Sequence, residues 1–288
     1  MTDEDPTIPD VAEERERLLD GWDEASRGWG RQADRMQAAA RPVSEWMISH
    51  AKPQPGETVL ELAAGPGDTG FMAAGLTQPG GTLICSDATA GMLDIARERA
   101  AEQGITNVEF KQLQLEWIDL PTASVDVVLC RWGVMLIIDP ATALRECRRV
   151  LRPGGRIALA VWDRPQENPW AAIIQRTLVA LGHVEPPTPG PGMFALADPT
   201  KLAGLLEDAG FLDIEIEAVP ILRSYASLTD WLGETRDLSR QFAPVWDSLE
   251  DQGRRRLRDA LAAAAGEYTH TDGALALPGS SLAALAFA

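Results

Sequence analysis

The sequence contains few of the residues from which disulfide frameworks, metal sites and histidine-based catalytic centres are built. It has three cysteines and three histidines among 288 residues, and no two cysteines form a Cys-x-x-Cys motif. Cys85, Cys130 and Cys147 are therefore expected to be buried, reduced thiols. No Ser-His-Asp set, His-Cys cluster or Walker-type lysine loop is evident, so we expect no bound metal.

Basic residues and long apolar runs are also scarce. Asp and Glu total 43 against 26 Lys and Arg, which gives a net charge of −17. Such a surface repels phosphate backbones and anionic lipids, so we expect neither a nucleic-acid nor a membrane partner. No apolar run approaches the length of about 18 residues that a membrane span needs, and the first ten residues lack a signal pattern. These features predict a cytoplasmic protein and leave its oligomeric state open.

What the sequence does contain is an alternation of strand and helix patterns. Residues 1–10 are acidic, include two prolines and are expected to be disordered. A helical pattern follows from Val11 to Lys52. Apolar runs separated by helices then predict a parallel sheet covered on both faces. The strands are predicted at Thr58–Ala63, Thr82–Ser86, Val108–Gln112, Val125–Cys130 and Arg156–Val161, with helices at about Thr69–Leu76, Ala90–Gln103 and Pro140–Val150.

The C-terminal part has a different pattern. Asp198 is placed to cap a helix that has Pro199 in its first turn and ends at Ala209. The other elements predicted there are a strand near Ile214–Val219, helices at Leu228–Phe242 and Leu249–Ala265, and a short final strand in "SSLAALAFA".

A glycine-rich turn, "GPGDTG" (Gly65–Gly70), directly follows the first predicted strand. It has the Gly-x-Gly-x-x-Gly spacing of a turn that lets an adenosine-containing ligand approach the backbone. NAD and S-adenosylmethionine can both use such a turn. Glu61, in the preceding strand, favours a ligand with cationic groups over a pyrophosphate, and Asp87, after the next strand, suits ribose hydroxyls. Each acid also has a structural interpretation. Glu61 can be a strand-end carboxylate that accepts hydrogen bonds from backbone amides, and Asp87 can be a helix cap.

Four motifs in order carry a family resemblance: "VLELAAGPGDTG", "SDATAGMLDIA", "LPTASVDVVLCRWG" and "RVLRPGGRIALAVW". Together they closely resemble the class I S-adenosylmethionine-dependent methyltransferases, in particular the branch that includes ubiquinone- and menaquinone-biosynthesis enzymes. The resemblance is strong over Thr58–Trp162 and weak over Asp198–Val219. It implies a Rossmann-like, doubly wound, mostly parallel seven-stranded sheet with helices on both faces. The implied cofactor is S-adenosylmethionine.

The resemblance also implies methyl transfer to a small hydrophobic or aromatic molecule, with O, N or C as acceptor atom. One alternative is a protein that binds S-adenosylmethionine without transferring methyl. A nicotinamide-dependent oxidoreductase is the other, although it leaves Glu61 unexplained.

Individual residues take roles from the resemblance. Asp87 is expected to bind ribose, and Met92 to pack near adenine. At the usual adenine-reading Asp-Ala pair this sequence has Gln114 and Leu115, whose amide oxygen can still accept from an amino group. The residues expected to hold the methionine part are Glu61, Ala63, Gly65 and Gly67, and Cys130 closes the fourth strand beside the cofactor.

Helical segments outside the core are expected to form a lid over the substrate. We predict that the chain is divided into four parts: a helical segment at 1–52, a core at 53–220, a helical insertion at 221–272 and a final strand at 273–288. Trp22 and Trp29 from the first segment, with Arg131 and Trp132 after the fourth strand, are predicted to line the substrate pocket. At least half of the lid tryptophans can equally serve packing alone. The catalytic candidates are His183 and Arg131.

Overall fold

The computed structural model describes residues 11–288. The helical pattern predicted from Val11 forms two helices, α1 (Val11–Arg31) and α2 (Ala33–Ala51). The disorder predicted for residues 1–10 concerns a segment outside the described residues. Within the described part of the chain, no helix has both the length and the apolar character needed to cross a bilayer.

Seven strands form one sheet in the order β3-β2-β1-β4-β5-β7-β6. All neighbours run parallel except β7, which is antiparallel to both β5 and β6. The predicted fold class is therefore confirmed. The strands are β1 (Thr58–Glu61), β2 (Thr82–Asp87), β3 (Val108–Gln112), β4 (Val125–Arg131), β5 (Leu151–Trp162), β6 (Leu212–Tyr225) and β7 (Leu275–Phe287).

Helices connect these strands. Asp198 caps α7 as predicted, accepting from the Thr200 N–H at 2.8 Å. The helix predicted over Leu228–Phe242 ends earlier, at Leu238, and a separate short helix begins at Phe242. That short helix and the helix that follows β5 were not predicted. The helices after α2 are α3 (Asp68–Thr77), α4 (Ala90–Glu102), α5 (Pro140–Val150), α6 (Pro169–Ala180), α7 (Pro199–Asp208), α8 (Leu228–Leu238), α9 (Phe242–Ser248) and α10 (Asp251–Ala264).

Two apolar clusters stabilise the molecule. The larger one surrounds the sheet and includes α2, whose Val43, Met47 and Ala51 are fully buried. Within the segment predicted as an N-terminal lid, α2 packs into the core and α1 contributes side chains to the wall of the cavity described below; the lid role stays a prediction. The smaller cluster joins α6, α8, α9, α10 and the start of β7 through Trp231, Phe242, Leu257, Leu261 and Leu277.

Candidate functional site

The glycine turn lies between β1 and α3 at the carboxyl edge of the sheet. Ala63, Gly65 and Gly67 all have positive φ, at +49°, +53° and +90°. A Cβ atom added to Gly65 would meet no atom within 4 Å, whereas one added to Gly67 would meet the Phe71 ring at 2.4 Å. Ala63 and Gly65 line a cavity, and Gly67 does not. Space for a ligand therefore exists at Gly65, while Gly67 serves the packing of α3.

Glu61 lies behind this turn. It is 3% exposed and does not line the cavity. Its Oε1 accepts from the Gly70 N–H at 2.8 Å, and its Oε2 has no hydrogen-bond partner in the described structure. Burial raises the pKa of Glu61 to about 8. The observed contact matches the structural interpretation, in which a strand-end carboxylate accepts from a backbone amide.

Asp87 connects the turn to the end of β2 and lines the cavity. Its Oδ2 accepts from the Gly65 N–H at 2.9 Å, and its Oδ1 accepts from the Thr89 N–H at 3.0 Å. Burial raises the pKa of Asp87, and these backbone hydrogen bonds oppose that shift. The Thr89 Oγ1 also donates to Oδ1, at 3.1 Å, so the carboxylate oxygen that keeps capacity for a further hydrogen bond is Oδ2. Asp87 can therefore organise the turn and contact a ligand at the same time.

The residues predicted to contact adenine lie together in the cavity wall. Met92 on α4 is 4% exposed and lines the cavity with Gln114 and Leu115 from the loop after β3. Glu116, the next residue, lines it too and accepts from Arg15 of α1 at 3.1 Å. An amide, two apolar side chains and a carboxylate thus converge on one part of the cavity wall.

Arg131 ends β4 and lines the cavity on the side of the glycine turn. Its Nε donates to the Thr69 Oγ1 at 3.0 Å, and its Nη2 donates to the Asp68 Oδ2 at 3.1 Å. The guanidinium lies over the Trp132 ring, 4.5 Å from the centroid. The start of α3 and the neighbouring indole therefore hold this cation in place.

Trp132, also in the cavity wall, has a left-handed backbone with φ of +62°. Its ring stacks on Trp162 with centroids 4.0 Å apart, and its Nε1 donates to the Ser281 Oγ at 2.9 Å. Such a conformation persists only where the surroundings determine it. Cys130, the preceding residue, is 2% exposed and does not line the cavity.

Helix α1 contributes one part of the cavity wall. Trp22 and Trp29 meet edge-on with centroids 6.1 Å apart, and both line the cavity as predicted. The Trp29 Nε1 is buried and has no partner in the described structure. Apolar residues that the motifs did not single out complete the wall: Leu18, Leu19, Leu136, Ile137 and Ile138. The spacing of Leu18, Leu19 and Trp22 on one helix face was the available signal.

His183 is not brought to this cavity. It follows α6, where its backbone N–H donates to the Leu178 carbonyl at 2.9 Å, and it does not line the cavity. Of the two catalytic candidates, the structure thus places only Arg131 at the site. No group of three or more His, Cys, Asp or Glu residues positioned to hold a metal ion occurs within residues 11–288.

The arrangement agrees with comparisons to known proteins. Residues 62–159, from the glycine turn to β5, match the family model described as a methyltransferase domain. Residues 62–159 therefore belong to a methyltransferase domain, and the sheet around them has the class I methyltransferase fold. An arsenite methyltransferase of Halobacterium salinarum is 31% identical over 205 residues, covering 71% of this chain and 48% of that protein.

Other similar proteins include a second methyltransferase and a solved structure with the same fold. The ubiquinone/menaquinone biosynthesis C-methyltransferase UbiE of Cellvibrio japonicus is 28% identical over 171 residues, covering 56% of this chain and 69% of that protein. The YcgJ protein of Bacillus subtilis has the same fold, with a TM-score of 0.58 at 19% identity over 85% of this chain and 97% of that one. The chain spans about half the length of most of the curated relatives it matches.

Proposed function

We propose that this methyltransferase domain transfers a methyl group from S-adenosylmethionine to a small, apolar organic molecule. One observation carries the proposal: a single cavity joins the open space beside Gly65, the Asp87 carboxylate and a wall of aromatic and aliphatic side chains. The first two features suit the cofactor, and the third suits an apolar acceptor.

The residues present fit the cofactor. The backbone at Gly65 leaves room for close approach, and the Oδ2 atom of Asp87 retains acceptor capacity for a ribose hydroxyl. Met92 and Leu115 offer an apolar surface to a base, and the Gln114 amide can accept from an exocyclic amine. The bound cofactor supplies a methyl group already activated on a sulfonium.

The acceptor side is apolar. Trp22, Trp29 and Leu18 come from α1, and Leu136 and Ile137 come from the segment after β4. Aromatic walls bind planar or hydrophobic molecules through area burial and ring stacking. We therefore propose a hydrophobic or aromatic acceptor.

Arsenite, the substrate in the name of one relative, fits this cavity poorly. As(III) is thiophilic and would need accessible thiolates, as soft ions generally do. Cys85, Cys130 and Cys147 are all buried, and none of them lines the cavity. Burial raises the pKa of each thiol, to about 12 for Cys130. These unpaired, reduced thiols also suit the cytoplasmic location that we propose.

The contribution of the chain to transfer is alignment and exclusion of water. No histidine is among the residues that line the cavity, and the carboxylates of Asp87 and Glu116 both accept hydrogen bonds from neighbouring groups. Holding a nucleophilic acceptor atom in line with the methyl group can supply several kcal/mol of the barrier reduction, about 7–11 at most.

Calorimetry and a transfer assay test the proposal. Purified protein should bind S-adenosylhomocysteine and S-adenosylmethionine but not NAD. A panel of aromatic and aliphatic acceptors with tritiated S-adenosylmethionine should then reveal a labelled product. Tight binding of NAD alone would refute the cofactor assignment, and cofactor binding with no product from any apolar acceptor would favour a binding protein without transfer.

A further inference from the structure

Arg131 has one buried side-chain nitrogen whose N–H groups have no hydrogen-bond acceptor in the described structure. Its side chain is 10% exposed, and its Nη1 has no hydrogen-bond partner. The other two nitrogens are occupied, Nε by Thr69 and Nη2 by Asp68. A guanidinium does not deprotonate in proteins, so an unpaired buried donor on it is costly. A ligand that enters the cavity lined by Arg131 can remove this cost.

The charges around Arg131 do not balance. Asp68, with a side chain 4% exposed, is shared between Arg131 and Arg99, each at 3.1 Å. Asp34 also contacts Arg99, but it is 94% exposed and strongly screened by solvent. The remaining nearby acid is Glu61, which burial keeps largely protonated at neutral pH because its pKa is raised to about 8. Two buried guanidiniums therefore face one buried carboxylate.

We propose that Arg131 is an anion-binding residue of the cavity and that its free Nη1 takes a carboxylate. The inference rests on the proposed function and gives Arg131 a binding role in place of the catalytic role expected from the sequence. Arginine pairs with carboxylates through charge-assisted hydrogen bonds. The carboxylate belongs either to the amino-acid part of the cofactor or to an acidic acceptor.

Two nucleoside ligands test whether the carboxylate bound by Arg131 belongs to the cofactor. They also distinguish this binding role from a purely structural role of Arg131. S-adenosylhomocysteine carries the amino-acid carboxylate, whereas 5′-methylthioadenosine lacks it and reports on the adenosine site alone. If the cofactor is the source, Arg131→Gln weakens S-adenosylhomocysteine binding by about tenfold or more, and 5′-methylthioadenosine binding changes by less than about twofold. Isothermal titration calorimetry measures both.

Arg99→Gln is the matched control. Arg99 pairs with the same Asp68 at the same distance but does not line the cavity. It should leave both affinities close to those of the wild type. If Arg131→Gln fails to fold, Arg131→Lys serves instead, with a smaller loss that is again confined to S-adenosylhomocysteine.

The acceptor arm uses protein saturated with S-adenosylhomocysteine and titrated with naphthalene-2-carboxylate or its uncharged amide. If the acceptor is the source, the wild type binds the carboxylate in preference to the amide, and Arg131→Gln loses that preference. The inference is overturned if Arg131→Gln changes neither arm, or if it weakens 5′-methylthioadenosine as much as S-adenosylhomocysteine. Failure of the wild type to bind either nucleoside refutes the proposed function itself, and the inference with it.

Discussion

Arg15 on α1 and Glu116 in the loop after β3 form an ion pair at the cavity, with Nη2 and Oε1 3.1 Å apart. Glu116 also accepts from the Asp139 N–H at 3.3 Å, so its carboxylate is anchored to the core. The Arg15 side chain is 34% exposed, and a pair of this kind contributes at most about 1 kcal/mol. The pair is therefore a weak, salt-sensitive contact between α1 and the core. It suits our prediction that α1 is a lid that opens for ligands.

We predict that Arg15→Ala increases the rate at which chymotrypsin cleaves α1 at Trp22 and Trp29. Removal of the ion pair lowers the free energy of local opening. Cleavage, followed by mass spectrometry, should therefore be faster, by about fivefold for a loss of 1 kcal/mol. Arg17→Ala is the control, because Arg17 pairs with Glu14 of the same helix. S-adenosylhomocysteine should slow cleavage of the wild type. Equal rates with and without ligand would leave α1 as a purely structural helix.

Asp87→Ala should weaken S-adenosylhomocysteine binding by about 2–3 kcal/mol, a factor of roughly 30 to 160 in Kd. The variant loses the acceptor proposed for ribose and the hydrogen bond from Gly65. Asp94→Ala is the control, since Asp94 pairs with Arg97 on the exposed face of the same connection. If calorimetry shows unchanged affinity and circular dichroism shows a native fold, Asp87 has only a structural role, which is to connect the glycine turn to α4.

Valine at Gly65 and at Gly67 should have different effects. Both positions have positive φ, so each variant carries backbone strain of about 1–2 kcal/mol. Only Gly67→Val also forces a side chain into the Phe71 ring, so it should lower the melting temperature further. Gly65→Val should stay folded and lose cofactor binding, because its side chain enters the cavity. Tight binding by folded Gly65→Val would show that the ligand lies elsewhere.

Gln114→Asp should keep or increase affinity for S-adenosylhomocysteine. Gln114 lines the cavity at the position where similar enzymes have an aspartate, and a carboxylate strengthens the hydrogen bond from an amine. Calorimetry on this variant and on Glu116→Gln distinguishes the two nearby acceptors. A large loss for Gln114→Asp together with a loss for Glu116→Gln would assign adenine recognition to Glu116.

Glu61 should make the protein less stable as pH rises from about 5 to 8. Its folded pKa of about 8 lies above its ordinary value of 4.5, so folding favours the protonated form. That contribution is fully present below pH 4.5 and is lost as pH rises toward 8, with a slope of up to about 1.4 kcal/mol per pH unit.

Glu61→Gln tests this pH dependence. Gln keeps an oxygen for the Gly70 N–H and removes the titration. Urea unfolding at several pH values should give a flatter profile for the variant than for the wild type. Identical slopes in this range would contradict the assignment of the pH dependence to Glu61.

The sequence by itself determined the order of the elements and the local chemistry of the turn. Apolar runs and helical periodicity depend on neighbouring residues, so β1 to β4 and α5 lie close to their predicted bounds. Gly65 and Asp87 follow directly from strand ends, and parallel strands place their carboxyl ends at one edge of the sheet. These two residues therefore meet as expected.

Only the tertiary structure decided which side of the turn each residue occupies and which helices belong to the core. Glu61 and Cys130 were expected beside the cofactor; both are almost fully buried and neither lines the cavity, so their contact with the cofactor stays a prediction. Strand β7 inserts between β5 and β6, and α2 packs on β5, β6 and β7, whereas α1 packs on α4 and α8. These outcomes depend on contacts between residues far apart in the chain, as does the pairing of Arg131 with Asp68. A local pattern of apolar and polar residues specifies a buried face, but it does not specify which distant face will cover it.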